Sequence, residues 1–420
     1  MGLSWSSEIR IRHRIPVRIQ AAAAFAGLLV VVACGSTSTA QRPSPSPVAS
    51  ASAVASPTAG SSAFPSPTPG GAPAVPGVPV SCSSQVPPSH QLALVKLRGV
   101  AGVIVRDITD INHPVSRCTI GGGAFFRFYD ESHISYIAMP ANVALGAPGS
   151  LYLVDLRAGT TSLVRSWANG GFASWIYNWS PDGRILTYLS SDPAGVQWHI
   201  LSAAGDRLLA NLGQVAARGI DSNNDDAMVG FSADGKYVAV EQTFTQGKGA
   251  GGATTPIQVN RVSDGSVAYT RTDGTMAVWA GTGAQLLFRT SAGVQSWSQS
   301  GSVVQVAAGS SWIHPWASSD GSRVAFLELN AQTNHVGLVL DLTSGATHAL
   351  SAQPRAQIAF LNSTLVWYAG EAICTTATPC GLGGPPLSGS YYIYDLGSDV
   401  ESGSIDTYVY DSWPHVVGQT

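Results

Sequence analysis

From about Ser81 onward, apolar runs of four to eight residues alternate with breaks built from Gly, Asp-Gly and Ser-Gly. No long stretch repeats its apolar positions every three or four residues, so the pattern predicts short strands and no amphipathic helix. One block recurs. Trp179-Ser180-Pro181-Asp182-Gly183 precedes the run Arg184 to Leu189, Phe231-Ser232-Ala233-Asp234-Gly235 precedes Lys236 to Val240, and Trp316-Ala317-Ser318-Ser319-Asp320-Gly321 precedes Ser322 to Phe326. A degenerate copy runs from Trp279 to Phe288, and weaker ones lie at Phe128 to Ile137 and Phe360 to Trp367. Each Asp-Gly supplies the positive-φ residue that a tight hairpin requires, which is reason enough for its return.

The turn glycines Gly183, Gly235, Gly283 and Gly321 lie 52, 48 and 38 residues apart. Periods near 40–50 with four strands per unit are the signature of propeller blades. The unit around Gly183 reads as strand a (Phe172 to Trp179), b (Arg184 to Leu189), c (Gln197 to Ser202) and d (Arg207 to Leu212). At the start, Leu92 to Leu97, Gly102 to Ile108 and Val115 to Ile120 read as b, c and d without an a. At the end, Tyr408 to Pro414 is a strand left over. The two deficits cancel if the last strand completes the first blade, which makes residues 81–420 an all-β propeller of seven blades and leaves no open edge at the seam. Six blades, with the N-terminal strands packed as an extension, is the alternative.

The aromatic-Ser-Pro-Asp-Gly turn followed by a β run resembles the repeat of TolB-like, WD-repeat-like propellers of bacterial envelope proteins. The resemblance spans most of 81–420 and is strongest at Trp179, Phe231 and Trp316. It implies binding of proteins or small ligands. In some relatives it implies the non-catalytic domain of a peptidase, whose α/β-hydrolase part is not expected here because blades take up the chain.

The first 80 residues have another character. Arg10, Arg12, Arg14 and Arg18 precede an apolar run from Ala21 to Ala33, the layout of a secretory signal too short to span a bilayer comfortably. Val31-Val32-Ala33-Cys34-Gly35 resembles the lipobox of bacterial lipoproteins, with Val31 standing where Leu is commoner. The resemblance implies removal of residues 1–33 and lipidation of Cys34. An uncleaved signal anchor is the alternative. Residues 34–80 are rich in Ser, Pro, Ala, Thr and Gly with Arg42 as their only charge, and a disordered spacer is expected. Two acyl chains would anchor such a chain at the extracytoplasmic side of the cell membrane without a transmembrane helix.

Charge narrows the function classes. Only 11% of residues are charged and the formal net charge is -3, with no basic block beyond the N-terminus, so nucleic acid is not an expected partner. A monomer is expected. No Gly-x-Ser-x-Gly, His-Glu-x-x-His or helix-opening Gly-x-Gly-x-x-Gly occurs, so no cofactor is expected and no linear catalytic motif is present. Cys82, Cys118, Cys374 and Cys380 allow three disulfide pairings in an exported protein. Cys82–Cys118 and Cys374–Cys380 are favoured, the first pinning the spacer's end to the first blade and the second closing a small loop. Asp221, Asn223 and Asp225 alternate like the opening of a calcium loop, but Asp226 stands where Gly is needed and Ser232 where Glu is needed, so this is at most a weak metal site.

The aromatic residues carry the remaining signal. Trp312 and His314 fall at a d–a connection and the start of a strand a, as do Trp167 and Phe172 in an earlier blade. The d–a connections share one face with the b–c loops, where the insertions Ala141 to Ser150, Gln242 to Pro256 and Gly370 to Ser390 fall. Trp167, Phe172, Trp312 and His314 are therefore the candidate ligand-binding residues, while Trp179, Trp279, Trp316 and Trp367 read as core between blades. The expected function is a membrane-tethered, non-catalytic binding scaffold for a protein, peptide or glycan of the cell envelope. A propeller hydrolase or lyase acting at the channel mouth is the alternative.

Overall fold

The computed structural model describes residues 79–82, 90–96, 102–138, 149–167, 177–192, 195–213, 227–243, 254–308, 312–331, 334–373, 386–404 and 409–413. All of them lie in the second of two compact units, Ala59–Thr420. They form seven antiparallel sheets, each with its strands in the order a-b-c-d. Blade 2 is Ala124–Asp130, His133–Ala138, Gly149–Asp155 and Thr160–Trp167. Blade 3 is Tyr177–Trp179, Leu186–Asp192, Gly195–Ser202 and Gly205–Gly213. Blade 4 is Ala227–Phe231, Tyr237–Thr243, Thr254–Arg261 and Val267–Arg271. Blade 5 is Thr275–Ala280, Gln285–Thr290, Gly293–Ser298 and Val303–Ala308. Blade 6 is Ile313–Ala317, Arg323–Leu329, His335–Asp341 and Thr347–Ala349. Blade 7 is Arg355–Phe360, Leu365–Glu371, Pro386–Asp395 and Val400–Ser404.

Blade 1 closes the ring. Its strands b, c and d are Leu92–Lys96, Gly102–Asp107 and Val115–Gly121, and its strand a is Val409–Trp413 from the other end of the chain, paired antiparallel with Leu92–Lys96. The count is seven blades, and the N-terminal strands belong to the first of them. One strand was not foreseen. Val80–Cys82 adds a fifth, outermost strand beside Val115–Gly121, with Cys82 directly opposite Cys118 and disulfide-bonded to it.

The strands a lie innermost, and neighbouring strands a touch at the 1–2, 3–4, 4–5, 5–6 and 6–7 junctions. Because four-stranded sheets are apolar on both faces here, each face must be covered by the neighbouring blade. Seven apolar clusters do this, one at each junction. Leu94, Val105, Phe128 and Ile134 join blades 1 and 2, and Val409, Val95, Trp367 and Leu361 join blades 7 and 1. The clusters between them contain Trp179, Trp198, Trp279, Trp312 and Tyr368, all buried. Trp179, Trp279 and Trp367 are core between blades, as their place in the repeat predicts, and half-buried Trp316 packs against the clusters on both sides of blade 7, at the 6–7 and 7–1 junctions.

Candidate binding face

With every strand antiparallel to its neighbour, the a–b and c–d turns lie at one end of the ring and the b–c loops and d–a connections at the other. At the first end the repeated turn satisfies itself. Ser180 N–H donates to Ile185 O at 2.8 Å, Gly183 N–H donates to Ser180 O at 2.8 Å, and Ile185 N–H donates to Ser180 Oγ at 2.9 Å. Ser180 Oγ–H donates to Asp182 Oδ1 at 2.7 Å, and that oxygen also accepts Arg184 N–H at 3.1 Å. The same bonds recur around Ser232, Asp234 and Tyr237, and around Ser318, Asp320 and Arg323. Gly183, Gly235 and Gly321 take φ of 68°, 67° and 68°, which a residue with a Cβ enters only at a cost.

These turns also touch around the ring. Tyr129 Oη–H donates to Gly183 O at 3.1 Å, and Gly281 N–H donates to Gly321 O at 2.8 Å. A Cβ on Gly321 would lie 2.4 Å from Gly281 O. The residues that make the motif conspicuous in sequence are thus explained by the turn and by the next blade.

The opposite end is built differently. Among the described residues five non-glycines adopt the left-handed region, and four of them lie near the starts of inner strands: Phe125, Met276, His314 and Gln357, with φ of 55°, 55°, 47° and 57°. Each falls at a bulge in its a–b pairing, where the register shifts between Ala124 and Arg127, Thr275 and Val278, Ile313 and Trp316, and Ala356 and Ile358. A bulge inserts an unpaired residue and re-aims its side chain, and a left-handed non-glycine costs on the order of 1–2 kcal/mol. Blades 2, 5, 6 and 7 therefore each hold one unfavourable residue at the d–a end of the inner strand, the mouth end of the ring. Phe125 is 38% exposed, His314 is exposed, and Met276 and Gln357 are half-buried.

Buried polar groups hold these bulges. Glu241, at the end of blade 4's strand b, is 2% exposed, and its two carboxylate oxygens accept the N–H groups of Met276 and Ala277 at 2.7 and 2.6 Å. Tyr177 Oη–H donates to Phe125 O at 2.7 Å and lies 3.0 Å from Ser135 Oγ, and burial pushes the Tyr177 phenol well above its usual range. Nearby charges are likewise committed to the frame. The Glu371 carboxylate accepts His335 N–H at 2.7 Å and His335 Nδ1–H at 2.8 Å, bridging blades 7 and 6. Arg355 lies 4.3 Å over the Tyr392 ring and donates to both Glu401 oxygens at 2.7 and 2.8 Å. No group of three or more His, Cys, Asp or Glu suited to a metal ion occurs among the described residues.

The candidate residues fare unequally. His314 stands at the mouth, exposed and left-handed. Trp312 does not belong to a binding surface: it is 0% exposed, packs at the blade 5–6 junction, and its indole N–H donates to Met276 O at 2.8 Å. The bulge at His314 breaks the alternation by which Trp312 and Trp316 would share an orientation, so Trp312 packs toward blade 5 while Trp316 packs toward blade 7. Trp167 ends strand d of blade 2, and its side chain lies outside the description. Phe172, the calcium-like Asp221, Asn223 and Asp225, Cys34, Cys374 and Cys380 lie outside the described residues, as do most of the three long b–c insertions. Phe125, Met276 and Gln357 were not foreseen. The signal in sequence is slight: Phe125-Phe126 and Met276-Ala277 place two apolar residues in succession where a strand should alternate.

No family model matches the chain, and no curated protein matches it significantly. Solved structures do. A prolyl endopeptidase structure is 12% identical with a TM-score of 0.52, over 79% of this chain and 50% of that one. TolB from Acinetobacter baumannii is 17% identical with a TM-score of 0.40, over 63% of this chain and 65% of that one. An oligogalacturonate lyase in complex with manganese is 9% identical with a TM-score of 0.43, over 75% and 85%. The chain thus spans half the length of the endopeptidase and about two thirds of TolB. At these identities the likeness is one of fold alone, and the chain's own sheet order makes the described residues a seven-bladed β-propeller.

Proposed function

We propose that the propeller is a binding module of the bacterial cell envelope, held at the extracytoplasmic side of the membrane by a lipid on Cys34 and the 34–80 spacer. Its ligand is a protein, peptide or glycan taken at the mouth formed by the b–c loops and d–a connections. The observation that carries this reading is the set Phe125, Met276, His314 and Gln357. Four blades keep four different side chains in a backbone state that favours glycine, all near one opening. The commitment of Glu241, Glu371 and Arg355 to neighbouring backbone or side chains supports a rigid recognition surface over an acid–base centre there.

The test is site-specific photo-crosslinking in intact envelopes. A benzophenone amino acid replaces His314 in one full-length chain and Ser319, on the a–b turn face, in another. A discrete adduct from position 314 and none from 319 is expected. Adducts from 319 alone, or identical adducts from both, would overturn the assignment of the face.

A further inference from the structure

Blade 3 holds a serine, a histidine and an aspartate in line across strands b, c and d. Ser190 Oγ on strand b lies 3.1 Å from His199 Nε2 on strand c, and His199 Nδ1 lies 3.2 Å from Asp206 Oδ1 on strand d. The second carboxylate oxygen, Oδ2, accepts Tyr188 Oη–H at 2.6 Å and the Arg165 guanidinium of blade 2 at 2.7 Å. Tyr188 also stacks on the imidazole, 5.0 Å between centroids and 10° from parallel. Burial works against the Asp206 carboxylate, but hydrogen bonds from His199 and Tyr188 and the Arg165 charge outweigh it and bring its pKa down to about 2. Asp206 is therefore ionised at neutral pH and accepts from His199 Nδ1–H. That fixes the tautomer with Nε2 bare and facing the Ser190 hydroxyl.

A purely structural role accounts for only half of this. The contact that ties blade 2 to blade 3 uses Asp206 Oδ2 with Arg165, whereas the arm Oδ1–His199–Ser190 stays within blade 3. Three adjacent strands supply one member each, a rigid support for a nucleophile, its base and the base's orienter. Ser190 is half-buried and the His199 side chain keeps 15% of its exposure, so the pair is reachable from solvent.

We propose that Ser190 is an activated nucleophile that takes acyl groups from carboxylic esters. Ser190 Oγ bonds to the ester carbonyl carbon as its proton passes to His199 Nε2. The bond to the leaving alcohol oxygen breaks, and the alcohol departs with the proton from Nε2. Water then attacks the acyl-serine, giving a proton through Nε2 back to Ser190 Oγ and releasing the carboxylic acid. Gln197 Oε1, 3.3 Å from Nε2, accepts from the imidazolium while it exists. Tyr188 and Arg165 are positioning residues that hold Asp206.

The test uses the full chain with p-nitrophenyl acetate, whose leaving group departs without protonation and so requires only nucleophile and base. A burst of nitrophenolate is expected, with one acetyl group mapped to Ser190 after acid quench. Ser190→Ala should abolish the acetylation and lower turnover at least tenfold while leaving the melting temperature unchanged. Ser190→Cys should keep the label, and Asp206→Asn should slow its appearance. Acetyl mapped only to lysines or the N-terminus, or turnover unchanged in Ser190→Ala, would overturn the proposal.

Discussion

The a–b turn end of the propeller repeats its residues, whereas the mouth repeats a backbone state and varies the residues. At the turn end Ser, Asp and Gly return because local geometry demands them, and each polar group is satisfied within a few residues or by the next blade. At the mouth local geometry would prefer glycine or asparagine, yet Phe125, Met276, His314 and Gln357 stand there. Repetition of identity reports what the fold needs. Side chains kept against a local preference report something the fold does not need, and they direct attention to that end for function.

The contrast can be tested from its largest consequence downward. Ending the chain at residue 408 removes the inner strand of blade 1 and uncovers Leu92–Lys96 and the blade 7–1 core, so both ends should fail together. Loss of cooperative unfolding by calorimetry and aggregation on gel filtration are expected, from a deficit of more than ~3 kcal/mol. A folded monomer would mean that the closure is dispensable. At the turn end, Gly321→Ala pushes a Cβ onto Gly281 O and should destabilise by about 3 kcal/mol in urea titrations, against about 1 kcal/mol for Gly345→Ala, whose Cβ meets nothing within 4 Å. Equal effects would reduce the turn motif to a φ preference.

At the mouth, Glu241→Gln keeps the shape but removes the charge on which the Met276 and Ala277 amides converge. A loss of about 2 kcal/mol in urea titrations is expected. Because that carboxylate holds a mouth bulge, crosslinking from position 276 should weaken as well. In acid, Asp206 distinguishes another part of the scaffold. Its folded pKa of about 2 lies below the unfolded value near ~4, so its contribution is fully present above ~4 and is lost as pH falls through about 2. Urea midpoints measured from pH 5 to 2 should fall less steeply for Asp206→Asn than for the wild type. The smallest effect is also the most telling. His314→Gly should raise stability by up to ~1 kcal/mol by relieving a left-handed histidine, while a ligand captured from a neighbouring crosslinker position is lost. If stability falls instead, the side chain is there for packing.

Much of the ring was legible because its determinants are local. The Ser-x-Asp-Gly turn closes within six residues, so Asp182, Asp234 and Asp320 mark blades without reference to anything distant. The seam at Val409–Trp413 followed from a missing strand a at one end of the chain and a spare strand at the other. What escaped depends on phase or on distance. Trp312 reads as a loop aromatic until the bulge at His314 turns it into the blade 5–6 core. Ser190, His199 and Asp206 are scattered polar residues in sequence and become one line only when strands b, c and d pair with Tyr188 opposite His199. The strand Val80–Cys82 carries too few residues to display any alternation, and only its cysteine pointed to the first blade.

That short strand sets where tension would enter the molecule. A pull on the chain ahead of Val80 is received first by the pairing of Val80–Cys82 with Cys118–Ile120 and by the covalent link between Cys82 and Cys118. The load passes into the rim of blade 1, three strands away from the seam between Leu92–Lys96 and Val409–Trp413. The hydrogen-bonded closure of the ring is thereby kept out of the force path, and oxidation of two cysteines decides whether a pull on the residues ahead of Val80 peels one strand from the rim or stops there.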